Sequence, residues 1–338
     1  MEKHNKIYEK AKEIIKILIK DIAVLTIIYF LTLYKYPYVI YKPGGSIDLS
    51  ERIKIENAND VTGSYNMNYV TVARGNLPTI LASFLIKNWD LKKEEDINIS
   101  DYDYETSFKI EQYDMKNSQD IATMVAYQKA GKEIKILNQK GIVLYVDKDA
   151  KTNLAILDEL VSIDGHTYQN LNELKQYINK VDVGKKVNVE VKNAGKTENK
   201  YAYIYEKEGQ KLIGVSLIDS YNYETNPPIE IVSKKAEAGS SGGLMLTLSI
   251  FDKLTEKDYS HGKKIMGTGT IDITGKVGAI GGVKYKMLGA NKDKADIFFV
   301  PSENYDEALE NYQKNKFKFA LVKVDTFDDA INYLNNLN

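Results

Sequence analysis

A serine set among glycines, Ala238-Gly239-Ser240-Ser241-Gly242-Gly243-Leu244-Met245, stands at the mouth of an apolar stretch with helical spacing. A lysine in Gly281-Gly282-Val283-Lys284-Tyr285-Lys286 opens a second, amphipathic one. A serine hydroxyl is a weak nucleophile until a neighbouring base removes its proton, and a lysine kept neutral by burial is such a base. Ser241 and Lys284 therefore read as a candidate serine/lysine dyad, for which no histidine is required. One physical condition attaches to Lys284. An unperturbed lysine titrates near about 10.4, so it must be desolvated or set beside another cation to act as a base at neutral pH. Lys286, two residues on, falls on another side of the same helix and is expected to be exposed.

These residues need a frame. After about residue 210 the chain alternates strands (212–218, 229–233, 265–273, 297–300, 319–322) with helices (241–254, 283–291, 302–312, 326–337), the pattern of an α+β or α/β unit. A helix beginning near Ser241 would aim backbone N–H groups at a reacting carbonyl, where they stabilise an oxyanion, and Ser240 suits its N-cap. From Gly141 to about residue 205 short strands surround a single helix at 171–178. Upstream, the alternation of Tyr65, Met67 and Tyr69 with Ser64, Asn66 and Asn68 reads as a strand. An apolar helix follows from Leu77-Pro78 to Ile86, and another helix spans 115–130.

At the N-terminus, residues 22 to 34 carry no charge and the run on to Tyr41 adds only Lys35. About 20 mostly apolar residues suffice to cross a bilayer. Residues 22 to 41 are thus expected to form a transmembrane helix, with lysines 3, 6, 10, 12, 16 and 20 on its cytoplasmic side. The expected location is the cell membrane, single-pass, with everything beyond about residue 40 outside.

Composition narrows the chemistry. The chain has 338 residues, enough for two or three domains, and a formal charge of −1 with no basic footprint, which argues against a nucleic-acid partner. Arg52 and Arg74 are its only arginines, so bidentate phosphate recognition is not expected. Without cysteine there is no disulfide framework, thiol catalysis or Cys-ligated zinc. His4, His166 and His261 lack the HExxH spacing of a zinc protease, and no metal or organic cofactor is implied.

Gly239-Ser240-Ser241-Gly242-Gly243 is similar to the Gly-Pro-Ser-Ala-Gly motif of Lon-type serine proteases, with Ser240 in place of proline and Gly242 in place of alanine. Thr268-Gly269-Thr270 and Val277-Gly278-Ala279-Ile280-Gly281-Gly282-Val283-Lys284 resemble that family's lysine-bearing block. The resemblance covers about residues 210 to 338 and implies Ser241 as nucleophile, Lys284 as base and Thr268 as a hydrogen-bonding neighbour. Asp158-Glu159-Leu160-Val161-Ser162-Ile163-Asp164-Gly165 resembles a bacterial PDZ domain over about residues 130 to 206. Such domains add an extended peptide to a sheet edge. Tyr41-Lys42-Pro43-Gly44-Gly45 and the residues after it resemble the post-membrane segment of membrane-anchored, PDZ-containing Lon-like proteases, over essentially the whole chain.

The fold expected is therefore α+β/α/β and multidomain: an anchor at 1–41, a connecting region at 42–129, a PDZ-like domain at 130–206 and a Lon-type proteolytic domain at 210–338. The function implied is an ATP-independent, membrane-anchored serine endopeptidase acting on extracellular peptides or small proteins, with homo-oligomerisation possible. No Gly-x-x-x-x-Gly-Lys-Ser/Thr nucleotide loop is present. Two rivals stand beside it: a non-catalytic adaptor on an inactive protease scaffold, and a triad of Ser241, His261 and Asp252 or Asp258.

Overall fold

The computed structural model describes residues 2–96, 102, 104–193 and 195–337, with the side chains of 2–7 left aside. The chain forms two compact units, one of Met1–Gly44 with Val70–Ile99 and one of Gly45–Tyr69 with Ser100–Asn338.

The first unit begins with the helix Glu2–Ile28, which passes into a π-helical turn at Tyr29–Leu33. By Tyr38 the chain is a strand, and Tyr38 to Tyr41 pair antiparallel with Lys93 to Asp90. The helix Leu77–Leu85 is closed at its start by a reciprocal capping box between Asn76 and Thr79. This geometry corrects the expected anchor. Lys16, Lys20 and Asp21 lie within the helix ahead of the uncharged run, and the last residues of that run are in a sheet. The uncharged helical part, 22–33, rises only about 18 Å at about 1.5 Å per residue, against a hydrocarbon core of about 30 Å. Among the described residues no helix is long and apolar enough to cross a membrane. The transmembrane helix and the single-pass location with an external catalytic region therefore do not stand.

In the second unit, strands Lys264–Gly267, Ile297–Pro301 and Ala320–Val324 run parallel, and Ser64 to Met67 join alongside Lys264–Gly267. The sequence Ile-Phe-Phe-Val-Pro makes Ile297–Pro301 apolar on both faces, as an interior parallel strand must be. Ile297 and Phe299 pack on one core with Leu244, Leu248 and Phe327, while Phe298 and Val300 pack on another with Val283, Met287 and Ala308. The helix Gly243–Leu254 thus covers one face of the sheet and Val283–Lys292 the other. A long helix, Tyr104–Lys129, lies against Gly243–Leu254, with Val125 and Ala122 in the shared core.

A separate five-stranded sheet has the order Val215–Asn226, Glu133–Val146, Glu159–Ile163, Lys186–Asn193, Lys196–Tyr203, antiparallel throughout. Val187, Val189 and Val191 alternate inward, and the helix Leu171–Lys180 closes that core with Leu174 and Ile178. Mixed helices and sheets are thus present as expected, without the spanning helix.

Candidate active site

The loop before Ser241 is shaped by backbone conformation and then pinned from two sides. Gly239 has φ +92°, where a side chain is strained. Its N–H donates to Glu111 O on the long helix at 2.8 Å. Ser118 Oγ, on the same helix, donates to Ser240 O at 3.1 Å. From the other side, Gly269 N donates to Ser241 O at 2.9 Å and Leu244 N donates to Gly269 O at 3.0 Å. Packing here is tight. A Cβ on Gly243 would lie 2.9 Å from both Ile271 Cγ2 and Ser118 Oγ, and one on Gly242 would lie 2.8 Å from Met67 Sδ. Met67 therefore occupies the space that the expected family alanine would need.

The helix starts at Gly243 with Gly242 as its N-cap and no side-chain cap, so Ser240 does not fill the capping role read from sequence. Gly243 N is bonded to Ser240 O and Leu244 N to Gly269 O. The N–H groups of Ser241 and Gly242 have no partner among the described residues. They are the donors available to an oxyanion beside Ser241 Oγ.

The helix Val283–Lys292 is entered through Gly282 at φ +75°, a left-handed turn that suits glycine. Of its two lysines, the fold desolvates the second. Lys286 is 4% exposed, on the side that buries Val283 and Ala290. Its Nζ donates to Thr268 Oγ1 at 3.0 Å, and Thr268 Oγ1 in turn donates to Ser241 O at 3.0 Å. Burial pulls the Lys286 pKa down to about 7. Lys284 is only half-buried, with its Nζ 5.2 Å from the centroid of the Tyr285 ring. The desolvation required of Lys284 is thus met by Lys286, which sequence reasoning left on the surface. The signal was in the spacing: Val283, Lys286 and Ala290 recur at i, i+3 and i+7, one side of a helix.

The His261 triad is not assembled. His261 is exposed in a turn with φ 50°. Asp258 accepts from Thr62 and Ser260 instead. Asp252 sits near the far end of the helix that follows Ser241, about 14 Å along its axis from Gly243 at about 1.5 Å per residue. There it accepts from Tyr65 Oη at 2.8 Å and Tyr259 N at 2.9 Å, and burial raises its carboxyl to about 6.

Residues 228–335 match the family model of the Lon protease (S16) C-terminal proteolytic domain. Lon protease of Mesomycoplasma hyopneumoniae (strain 232) is 34% identical over 96 residues, 28% of this chain and 11% of that protein. Lon protease of Campylobacter jejuni is 30% identical over 120 residues, 35% of this chain and 14% of that protein. Lon protease of Mycoplasma mobile is 26% identical over 207 residues, 59% of this chain and 24% of that protein. The chain thus spans a quarter or less of the length of these relatives. Among solved structures, the PDZ domain of an SdrC-like protein from Listeria monocytogenes is 26% identical, covering 23% of this chain and 86% of its own, with a TM-score of 0.21. Its counterpart from Listeria innocua is 28% identical, covering 23% and 92%, with a TM-score of 0.22. Ser241, Thr268 and Lys286 all fall within the matched residues 228–335, and these likenesses support a serine protease.

Proposed function

We propose that this protein is a serine endopeptidase in which Ser241 is the nucleophile, Lys286 the general base and Thr268 the group that positions the base. One observation carries the reading: a lysine buried to 4% exposure, with a neutral hydroxyl as its hydrogen-bond partner, one hydroxyl away from the serine's own carbonyl. A lysine with a carboxylate partner would hold its proton; this one is disposed to release it near neutrality.

In the mechanism, neutral Lys286 removes the Ser241 Oγ proton as Oγ attacks the scissile carbonyl carbon. The N–H groups of Ser241 and Gly242 receive the oxyanion. The Lys286 ammonium then gives its proton to the departing amine, leaving an acyl-serine. Water, deprotonated by Lys286, attacks that ester and restores Ser241. No step uses a nucleotide, consistent with the absence of a Walker-type loop in the sequence. Substrates are peptides or proteins. The five-stranded domain is read as positioning them, because the long helix bonds both to that sheet, through Asp120 and Tyr223 Oη at 2.9 Å, and to the nucleophile loop.

The test is cleavage of casein by the full chain beside Ser241→Ala, Lys286→Ala and Lys284→Ala. Loss in the first two with retention in the third is expected. Full activity in Lys286→Ala would overturn the base assignment, and full activity in Ser241→Ala the whole reading.

A further inference from the structure

Strand Ser64–Arg74 runs parallel to Lys264–Gly267 in a register that sets Met67 beside Gly267. Continued one residue past the paired segment, that register would set Asn68 beside Thr268. Residues paired across neighbouring parallel strands project from the same face of the sheet. The side chain agrees: Asn68 Nδ2 reaches Gly45 O at 3.4 Å and Met266 Sδ at 3.6 Å. Met266, two residues before Thr268, packs with Val283 and Met287 of the helix that carries Lys286. Asn68 therefore lies on the lysine's side of the sheet, in the row next to Thr268.

Its amide is half used. Asn68 is 4% exposed, and its Oδ1 has no hydrogen-bond partner among the described residues. Leaving a buried carbonyl acceptor bare is destabilising, and such groups are uncommon in folded proteins. With Nδ2 committed to Gly45 O, the amide orientation is fixed and Oδ1 is the end left over. A lysine that takes up a proton in such a place presents three N–H donors. Thr268 Oγ1 accepts one and the Ser241 side a second, which leaves one without a defined acceptor.

We infer that Asn68 is a positioning residue for the proposed reaction, its Oδ1 accepting a hydrogen bond from the ammonium that Lys286 becomes on taking the Ser241 proton. The inference rests on the Ser241/Lys286 reading. It gives the orphan acceptor a partner whenever Lys286 carries its proton, both in the resting protein at and below about pH 7 and during turnover. Lys286 Nζ has a neutral hydrogen-bond partner, Thr268 Oγ1, and no ion pair among the described residues. Burial alone accounts for the depressed Lys286 titration, with no contribution from a charged group among the described residues.

The experiment measures the pH dependence of peptide cleavage by the full chain, wild type against Asn68→Asp and Asn68→Leu. In parallel, the Lys286 ε-carbon is titrated by NMR and assigned by its loss in Lys286→Met. A carboxylate at 68 should raise the Lys286 midpoint by about 1 unit or more and carry the ascending limb of the rate profile with it. Asn68→Leu, with the same branched heavy-atom skeleton but no acceptor, should lower the midpoint and reduce kcat about tenfold or more with KM little changed. Midpoint and limb unmoved in folded variants would overturn the inference, whatever the change in rate. Should Asn68→Asp not fold, the direction of the midpoint in Asn68→Leu decides alone, downward in support and unmoved against. Wild-type cleavage by Lys286→Met would instead sink the underlying dyad, a result separable from the other because the NMR midpoint does not depend on turnover.

Discussion

Two lysines drawn out of solvent, Lys200 in the five-stranded sheet and Lys286 beside Ser241, are treated in opposite ways. Lys200 is 13% exposed and donates to both oxygens of Asp158, at 2.9 and 2.8 Å. That carboxylate, itself fully buried, also accepts from Ala155 N at 2.6 Å and Asn193 Nδ2 at 2.8 Å. Lys286 is buried more deeply and meets a threonine hydroxyl. The first arrangement fixes a charge in place and holds a loop to a strand. In the second the charge has no counterion among the described residues, so its proton is held weakly. Burial is common to both; the partner decides whether a lysine is a strut or a base.

The largest effect expected is at Lys286. Lys286→Met should cut kcat/KM by about a thousandfold or more, while raising the melting temperature at pH 7 by calorimetry. The sign follows from linkage. The folded lysine titrates near 7 and the unfolded one near 10.5, so between these values the unfolded chain binds more protons and stability rises with pH. At and below pH 7 the buried lysine destabilises by an amount on the order of 4 kcal/mol, which methionine removes. Activity in the wild type should rise with pH through about 7, because the neutral lysine is the active form. A melting temperature that falls in Lys286→Met would break the contrast with Lys200.

Asp158→Ala should act the other way, losing about 3–5 kcal/mol in urea denaturation by stranding Lys200, while the folded protein keeps its peptidase rate. Thr268→Val should lower kcat about 10- to 100-fold, since a hydrogen bond to a charged group contributes about 1.5–3 kcal/mol; Thr268→Ser should restore most of it. The smallest change belongs to Lys284→Ala, expected within about 0.5 kcal/mol of wild type in stability and about twofold in rate. A large rate loss there would move the base assignment back to Lys284.

Much of the frame could be read from local pattern. The strand at Ser64, the Pro78 helix and the helix after the glycine-bounded serine appear where periodicity and turn residues put them, while the strand expected at 265–273 is broken at Thr268–Gly269 into Lys264–Gly267 and Thr270–Ile271. What escaped was of another kind. Seeing that Lys286 rather than Lys284 is buried required following the helix register through Val283 and Ala290, where a family motif drew the eye to the first lysine. The long helix begins at Tyr104, earlier than expected, because its first turns are polar and lack an apolar stripe. The uncharged run near the N-terminus met a length criterion, but nothing in its composition disclosed that the chain would leave the helix for a strand at Tyr38. Nor does any local signal pair Ser64 with Lys264, two hundred residues away.

That last pairing has a practical meaning. The body that carries Ser241 and Lys286 is a mosaic of three stretches of chain: Gly45–Tyr69, the helix Tyr104–Lys129 and the residues after Ile229, with the five-stranded sheet inserted between the second and the third. Met67 backs Gly242, while Ser118 and Glu111 hold the loop that presents Ser241. A fragment trimmed to begin at residue 210 would hold both Ser241 and Lys286 and still lack the wall, the clamp and the neighbouring strand at Ser64. During synthesis the first two stretches must wait, unfinished, until the residues after Ile229 have emerged.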